Sequence, residues 1–185
     1  IKTLAVGLLA VLALLQNGPL LLVLALLFSA LGDAFLSRRG DQWFLAGLAS
    51  FLAAHAFYIA LFAASGGGTE PVLSDGLRAM IAIFMALFAL AMAALLWPRV
   101  PPKMRLPILV YAAAIFVMGL SALTMNSAMI IAGAILFMIS DGILASERFL
   151  VSAVSRHRAW MHPAVWITYY GGQLLIALGF LLPAV

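Results

Sequence analysis

Seven long apolar runs, separated by short stretches rich in Gly, Pro or charge, constrain this chain more than any other feature. A helix that crosses the hydrocarbon core of a bilayer needs roughly 20 apolar residues. The runs are Lys2 to Leu15, Pro19 to Ser37, Gln42 to Ala64, Leu77 to Trp97, Leu106 to Thr124, Ala128 to Leu150 and Pro163 to Leu182, the first of them short. Of the 185 residues 66% are hydrophobic and only 9% charged, where a soluble domain carries about 25% charged residues. The predicted fold is therefore all-α: a polytopic transmembrane helix bundle with seven visible spans, forming one domain over residues 1–185.

The interruptions set the topology. Gln16-Asn17-Gly18-Pro19 closes the first run, and Pro19 suits the first turn of the next helix. Arg38-Arg39-Gly40-Asp41 is a tight charged turn, residues 65–71 a flexible breaker and residues 98–105 a rigid basic loop. Asn126-Ser127 leads into the sixth run, and residues 155–158 form another basic loop. Placing the 38–41 turn in the cytoplasm sends the start of the first helix and the 98–105 and 151–162 loops to the same side. That side then holds Lys2, Arg38, Arg39, Arg99, Lys103, Arg105, Arg148, Arg156 and Arg158, nine of the ten basic residues, with Arg78 alone opposite. So lopsided a distribution supports both the spans and their orientation. It also accounts for the net charge of +4. The basic loops lack interleaved aromatic residues, and no nucleic acid is expected as a partner.

Two carboxylates stand inside the runs. Leu27 to Ser37 contains Asp33 and Ile135 to Ala145 contains Asp141, each flanked by small residues. An acidic side chain in a membrane helix costs several kcal/mol unless it meets a partner or a wet cavity, which makes it a functional candidate by default. Asp33 precedes Arg38 by five residues and Asp141 precedes Arg148 by seven. At about 1.5 Å per residue, both lie roughly 7–11 Å inside the cytoplasmic boundary. Their helices run the same way, so the two acids are expected to share one polar chamber. Ser29 and Ser37 flank Asp33 on its own face.

Further polar residues follow helical spacing. His55 and Tyr58 share a face of the third helix, and Tyr169 and Gln173 share a face of the seventh. Lys2 opens the first helix at the cytoplasmic level, within reach of the carboxylates. Each has a plainer reading as well. Lys2 can snorkel to headgroups, the tyrosines and even the aspartates can serve interhelical hydrogen bonds, and His55 can be a satisfied interior histidine. Glu147 reads as a boundary charge paired with arginine in solvent, and Asp41, Glu70 and Asp75 read as loop charges. Gly7, Gly47, Gly119 and Gly133 read as close-packing sites.

Several chemistries are excluded. With no cysteine there is neither disulfide, thiol catalysis nor thiolate metal site. No HExxH or dense His/carboxylate cluster, GxSxG elbow, P-loop or GxGxxG occurs. What remains is chemistry that two carboxylates, a lysine, a histidine and tyrosines perform with no metal and no organic cofactor.

Taken in order, Leu31-Gly32-Asp33, Gly47 to Phe51, His55-Ala56-Phe57-Tyr58, Gly133 to Asp141 with its Ser140-Asp141 pair, and Tyr169-Tyr170-Gly171-Gly172-Gln173 resemble the YhhN family. This is the lysoplasmalogenase family of multi-pass membrane hydrolases. The resemblance runs from the first helix to the last and rests on order and spacing rather than on one motif. The family opens an early helix with a Lys-Pro pair, from which Lys2-Thr3 departs at its second residue, so the role of Lys2 carries over less firmly than that of the aspartates. Family members have eight spans and that pair opens the second, which implies a further helix upstream of Ile1.

The resemblance implies hydrolysis of the vinyl ether bond of lysoplasmalogens to a fatty aldehyde and glycerophosphoethanolamine or glycerophosphocholine. That reaction needs a carboxylic acid to protonate the vinyl β-carbon and a carboxylate to steady the oxocarbenium ion and deprotonate water. Paired carboxylates in a low-dielectric pocket divide in this way, because like charges cannot both ionise cheaply. Asp33 and Asp141 are the expected pair. Tyr169, Gln173 and Ser140 are expected to orient the water or ether oxygen, Lys2 to hold a phosphate or act on a neighbouring acid, and His55 with Tyr58 to line the deeper pocket. The expected partners are a lysophospholipid substrate and membrane lipid. Composition heavy in Ala, Leu, Gly and Arg points to a bacterial inner membrane. The competing class is a small-solute or proton-coupled transporter, which intramembrane aspartates and a parallel repeat of the two acidic stretches would suit. Its spans lack obvious mid-helix breaks, however, and 185 residues is small for a carrier unless it forms a homo-oligomer. A non-catalytic lipid-binding or assembly subunit is the third class.

Overall fold

The computed structural model describes residues 2–66, 68–152 and 154–182. Among these the regular elements are α1 (Lys2–Leu15), α2 (Leu20–Leu36), α3 (Asp41–Ser65), α4 (Glu70–Ser74), α5 (Gly76–Leu96), α6 (Pro102–Ala122), α7 (Ala128–Phe149) and α8 (Arg158–Leu181). Seven are the apolar runs; α4 is a short extra helix with Pro71 in its first turn. The seven expected spans divide into two kinds. Helices α3, α5, α6, α7 and α8 are long and apolar enough to cross a membrane, whereas α1 and α2, at 14 and 17 residues, are apolar but shorter.

Two helix starts differ from expectation. Helix α6 begins at Pro102 rather than Leu106, and α8 at Arg158 rather than Pro163, leaving Pro107 and Pro163 inside their helices. A proline removes one donor and crowds the carbonyl four residues before it. Near a helix start that disturbance is small, so proline marks a beginning less sharply than an end. Between α1 and α2, Asn17 adopts φ 53° and the Gly18 N–H returns to the Ala13 carbonyl at 2.8 Å. This is a left-handed cap of the Schellman kind, and Pro19 then prevents the first helix from continuing.

Helices α1, α2, α3, α6, α7 and α8 pack in that order as a closed ring, α8 returning to α1, while α5 lies outside against α6 and α7. Of the 21 residues of α5 only Met85 and Leu96 are buried, so most of its surface faces outward. Glycine sets the α7–α8 crossing. A Cβ on Gly133 would lie 2.7 Å from the Gly172 carbonyl oxygen, and one on Gly172 equally 2.7 Å from that of Gly133. Backbone cannot yield as a side chain can, so the two helices approach through their glycines, the small-residue packing that membrane helices use. Gly47 and Gly119 are closely covered too, but Gly7 has nothing within 4 Å and is not a packing site.

Ion pairs tie one end of the bundle together. Asp41, the first residue of α3, pairs with Lys103 of α6 and Arg148 of α7, both at 3.1 Å. At the other end Arg78 donates to the Leu123 carbonyl at 2.7 Å and sits 3.4 Å from Asp75. The alternation that gathers the basic residues on one face is thus present in the packing.

Candidate active site

Helices α2 and α7 deliver the two aspartates, each near the basic end of its helix. Both side chains line one cavity of about 400 Å³, walled by the start of α1, the end of α2, the second half of α7 and the start of α8. Lys2, Ser37, Ser140, Glu147, His162 and Tyr169 also reach this cavity, with Phe51 and Val165 supplying apolar wall. The two acids expected to share a chamber therefore do so.

Each carboxylate is held by a tyrosine from another helix. Tyr169 of α8 donates its hydroxyl to Asp33 Oδ2 at 2.9 Å, and Tyr111 of α6 donates to Asp141 Oδ2 at 2.8 Å. One oxygen of each acid is tethered, and among the described residues the other accepts no hydrogen bond, leaving it for a ligand. The tethers rest on packed aromatic rings. Phe51, Phe137 and Tyr169 meet edge to face, with centroids 5.4–6.3 Å apart, the favourable geometry for such pairs. Tyr111 in turn meets His55 edge-on at 5.3 Å.

His55, Tyr58 and Gln173 do not lie on the cavity wall. His55 is fully buried, with Nδ1 bonded to the Phe51 carbonyl and its ring 4.9 Å from that of Phe137, so it stands behind the cavity wall that Phe51 helps form. A carbonyl only accepts, so Nδ1 carries the proton and Nε2 of the neutral ring is the acceptor. Tyr58 donates to Gln173 Oε1, both residues being fully buried. Beyond the faces shared along each helix, the packing thus joins Tyr58 of α3 to Gln173 of α8. Nε2 of both His55 and Gln173, together with the Ser29 hydroxyl, has no partner among the described residues. Ser140 is on the wall, its hydroxyl donated to the Val165 carbonyl at 3.1 Å. Lys2 is at the mouth, with no carboxylate oxygen within 4 Å among the described residues.

Glu147 corrects its reading as a solvent charge. It is 4% exposed and lies on the cavity wall, with Oε1 2.9 Å from Arg158 Nη2 and 3.2 Å from His162 Nε2. The arginine partner is as expected; the solvent is not. Sequence reasoning misses Tyr111 and His162 altogether. The available signals were a lone tyrosine in an apolar helix and a histidine next to a helix-start proline.

Fold and cavity together define a polytopic helical membrane protein with a paired-carboxylate chamber near one face. The chain belongs to the YhhN family, whose sequence model matches residues 1–180. It is 32% identical over 157 residues to lysoplasmalogenase TMEM86B of Homo sapiens, covering 85% of this chain and 62% of that protein. It is 29% identical over 163 residues to lysoplasmalogenase TMEM86A of Bos taurus (83% and 62%). To the lysoplasmalogenase of Mycobacterium tuberculosis (strain CDC 1551 / Oshkosh) it is 30% identical over 163 residues (86% and 59%). The chain spans about three-fifths of the length of these curated relatives. No solved structure matches it.

Proposed function

We propose that this protein hydrolyses the vinyl ether bond of lysoplasmalogens, with Asp33 and Asp141 as its acid and base. The observation that carries the reading is one cavity bearing two carboxyl groups, each aimed by a tyrosine from a neighbouring helix. The names of the relatives supply the substrate class.

The chemistry follows from the bond. The protonated carboxyl gives its proton to the β-carbon of the vinyl ether, and the ether oxygen shares the positive charge left on the α-carbon as an oxocarbenium ion. The other carboxyl, ionised, faces that cation and takes a proton from the water that adds to the α-carbon. The hemiacetal then collapses to a fatty aldehyde and a free glycerol hydroxyl, so one water is consumed and both carboxyls exchange roles. Two acids on one low-dielectric cavity suit this division, since ionising both is costly. The tyrosine tethers hold the free oxygens in place, and general acid–base catalysis depends first on such positioning. Ser140 lies close enough in the wall to help place the water. Lys2 at the mouth offers positive charge to the phosphate. The proposed location is a bacterial inner membrane, basic face to the cytoplasm.

The test is incubation of the purified protein in detergent with lysoplasmalogen in D₂O. Aldehyde release, with one deuterium on the carbon next to the aldehyde, is expected. No aldehyde, with lysolipid or solute uptake only in sealed vesicles, would replace the enzyme by a carrier.

A further inference from the structure

The cavity does not end at the aspartates. A void of about 50 Å³ lies between Leu36, Phe51, Tyr111 and Asp141. A second, about 80 Å³, again touches Tyr111 and Asp141 and reaches Gly142 and Phe88. A third, about 350 Å³, shares Phe88 and Met138 with the second and extends as a wholly apolar groove between α5 and α7. Consecutive voids share lining residues, so they form a row of neighbouring cavities from the polar mouth, past Asp141, to this groove, with side chains such as Tyr111 and Phe88 standing between one and the next.

Its dimensions suit one hydrocarbon chain. Along α5 the groove runs from Phe88 to Leu77, eleven residues. At 1.5 Å per residue that is about 16 Å, close to half of the ~30 Å hydrocarbon thickness and hence to the depth of one leaflet. Leu77 lies at the end of the bundle that holds Arg78, opposite the basic mouth. Leu77, Met80 and Phe84 are 65–67% exposed, so the groove is open to lipid along this edge. One end of the row is polar and cationic, the other apolar, as in a single-chain phospholipid. The neck is at Phe88. A Cβ on Gly142 would lie 2.6 Å from the Phe88 ring, so glycine at that position leaves room for the ring beside Asp141.

We propose that the groove between α5 and α7 holds the hydrocarbon tail of a lysolipid whose glycerophospho headgroup fills the polar cavity. Asp33 and Asp141 then stand where head meets tail, and Phe88 and Met138 set the chain length accepted. This inference rests on the lysolipid-hydrolase reading and names the substrate's second contact surface.

Two experiments test it. The wild-type protein is photolabelled with a lysophospholipid that carries an alkyl ether in place of the vinyl ether and a diazirine at the chain end. Label concentrated in residues 76–96 and 128–149 is expected; label spread over all outward-facing helices, α1 and α2 included, overturns the groove. In Phe88→Trp and Gly142→Ala the ratio of kcat/KM for long-chain over short-chain substrate is expected to fall about tenfold, the scale of discrimination by apolar pocket contacts. An unchanged ratio, even with both activities lowered, overturns the neck. Should the wild type release no aldehyde at all, the hydrolase reading fails while photolabelling still reports whether the groove takes a chain.

Discussion

Replacing Tyr111 by Phe isolates one element of the site. The change deletes a hydroxyl that donates to Asp141 Oδ2 at 2.8 Å and keeps the ring that packs against His55. Tyr111 is 9% exposed, so solvent does not readily supply a substitute donor. A hydrogen bond to a charged group contributes about 1.5–3 kcal/mol. Interhelical hydrogen bonds inside membranes average ~0.6 kcal/mol and reach at most ~1.7. The overlap of the two ranges, about 1.5 kcal/mol, is roughly tenfold in a rate or equilibrium constant. Tyr111→Phe is therefore expected to lower kcat/KM for aldehyde release by about tenfold and the thermal midpoint by a few degrees. In an Asp141→Asn background it adds no further loss, because the two residues act as a unit. Activity of Tyr111→Phe equal to wild type would remove the positioning role. Activity as low as that of Asp141→Asn would make the phenol itself the proton carrier.

Other outcomes follow from the same geometry. Gly133→Ala places a methyl against backbone and should cost about 1–3 kcal/mol as overpacking, lowering the thermal midpoint in detergent, while Gly7→Ala, with open space around it, leaves the midpoint unchanged or higher. Arg158→Ala strips the main partner from the buried Glu147 and should destabilise by about 3 kcal/mol; adding Glu147→Gln recovers most of that, which a differential scanning measurement reads directly. The pH profile of kcat/KM is expected to be bell-shaped, falling in acid where both carboxyls are protonated and in alkali where both are ionised; a profile rising monotonically through the range would contradict shared acid–base work.

The sequence makes the helices legible because apolar runs admit few alternatives, and it makes Asp33 and Asp141 legible because charge in such runs is costly. Their common level follows from counting residues to Arg38 and Arg148. What it hides are contacts between helices. Tyr111 and Asp141 are 30 residues apart, and Tyr169 and Asp33 136 apart, so neither tether leaves a local pattern. Spacing along one helix puts His55 and Tyr58 on one face, and only the packing joins Tyr58 to Gln173 and sets His55 against Tyr111. Glu147 stands in the last turn of α7, where position alone reads as solvent; the fold of α8 over it, carrying Arg158 and His162, turns it inward.

The central claim is that two carboxyls act on one bond. Single-turnover aldehyde release by Asp33→Asn and Asp141→Asn, compared with wild type in the same detergent preparation, tests it most directly. Each variant should fold, elute as wild type does, and lose about a hundredfold or more in rate, the scale of general acid–base catalysis. Near-wild-type turnover by either variant would contradict the account.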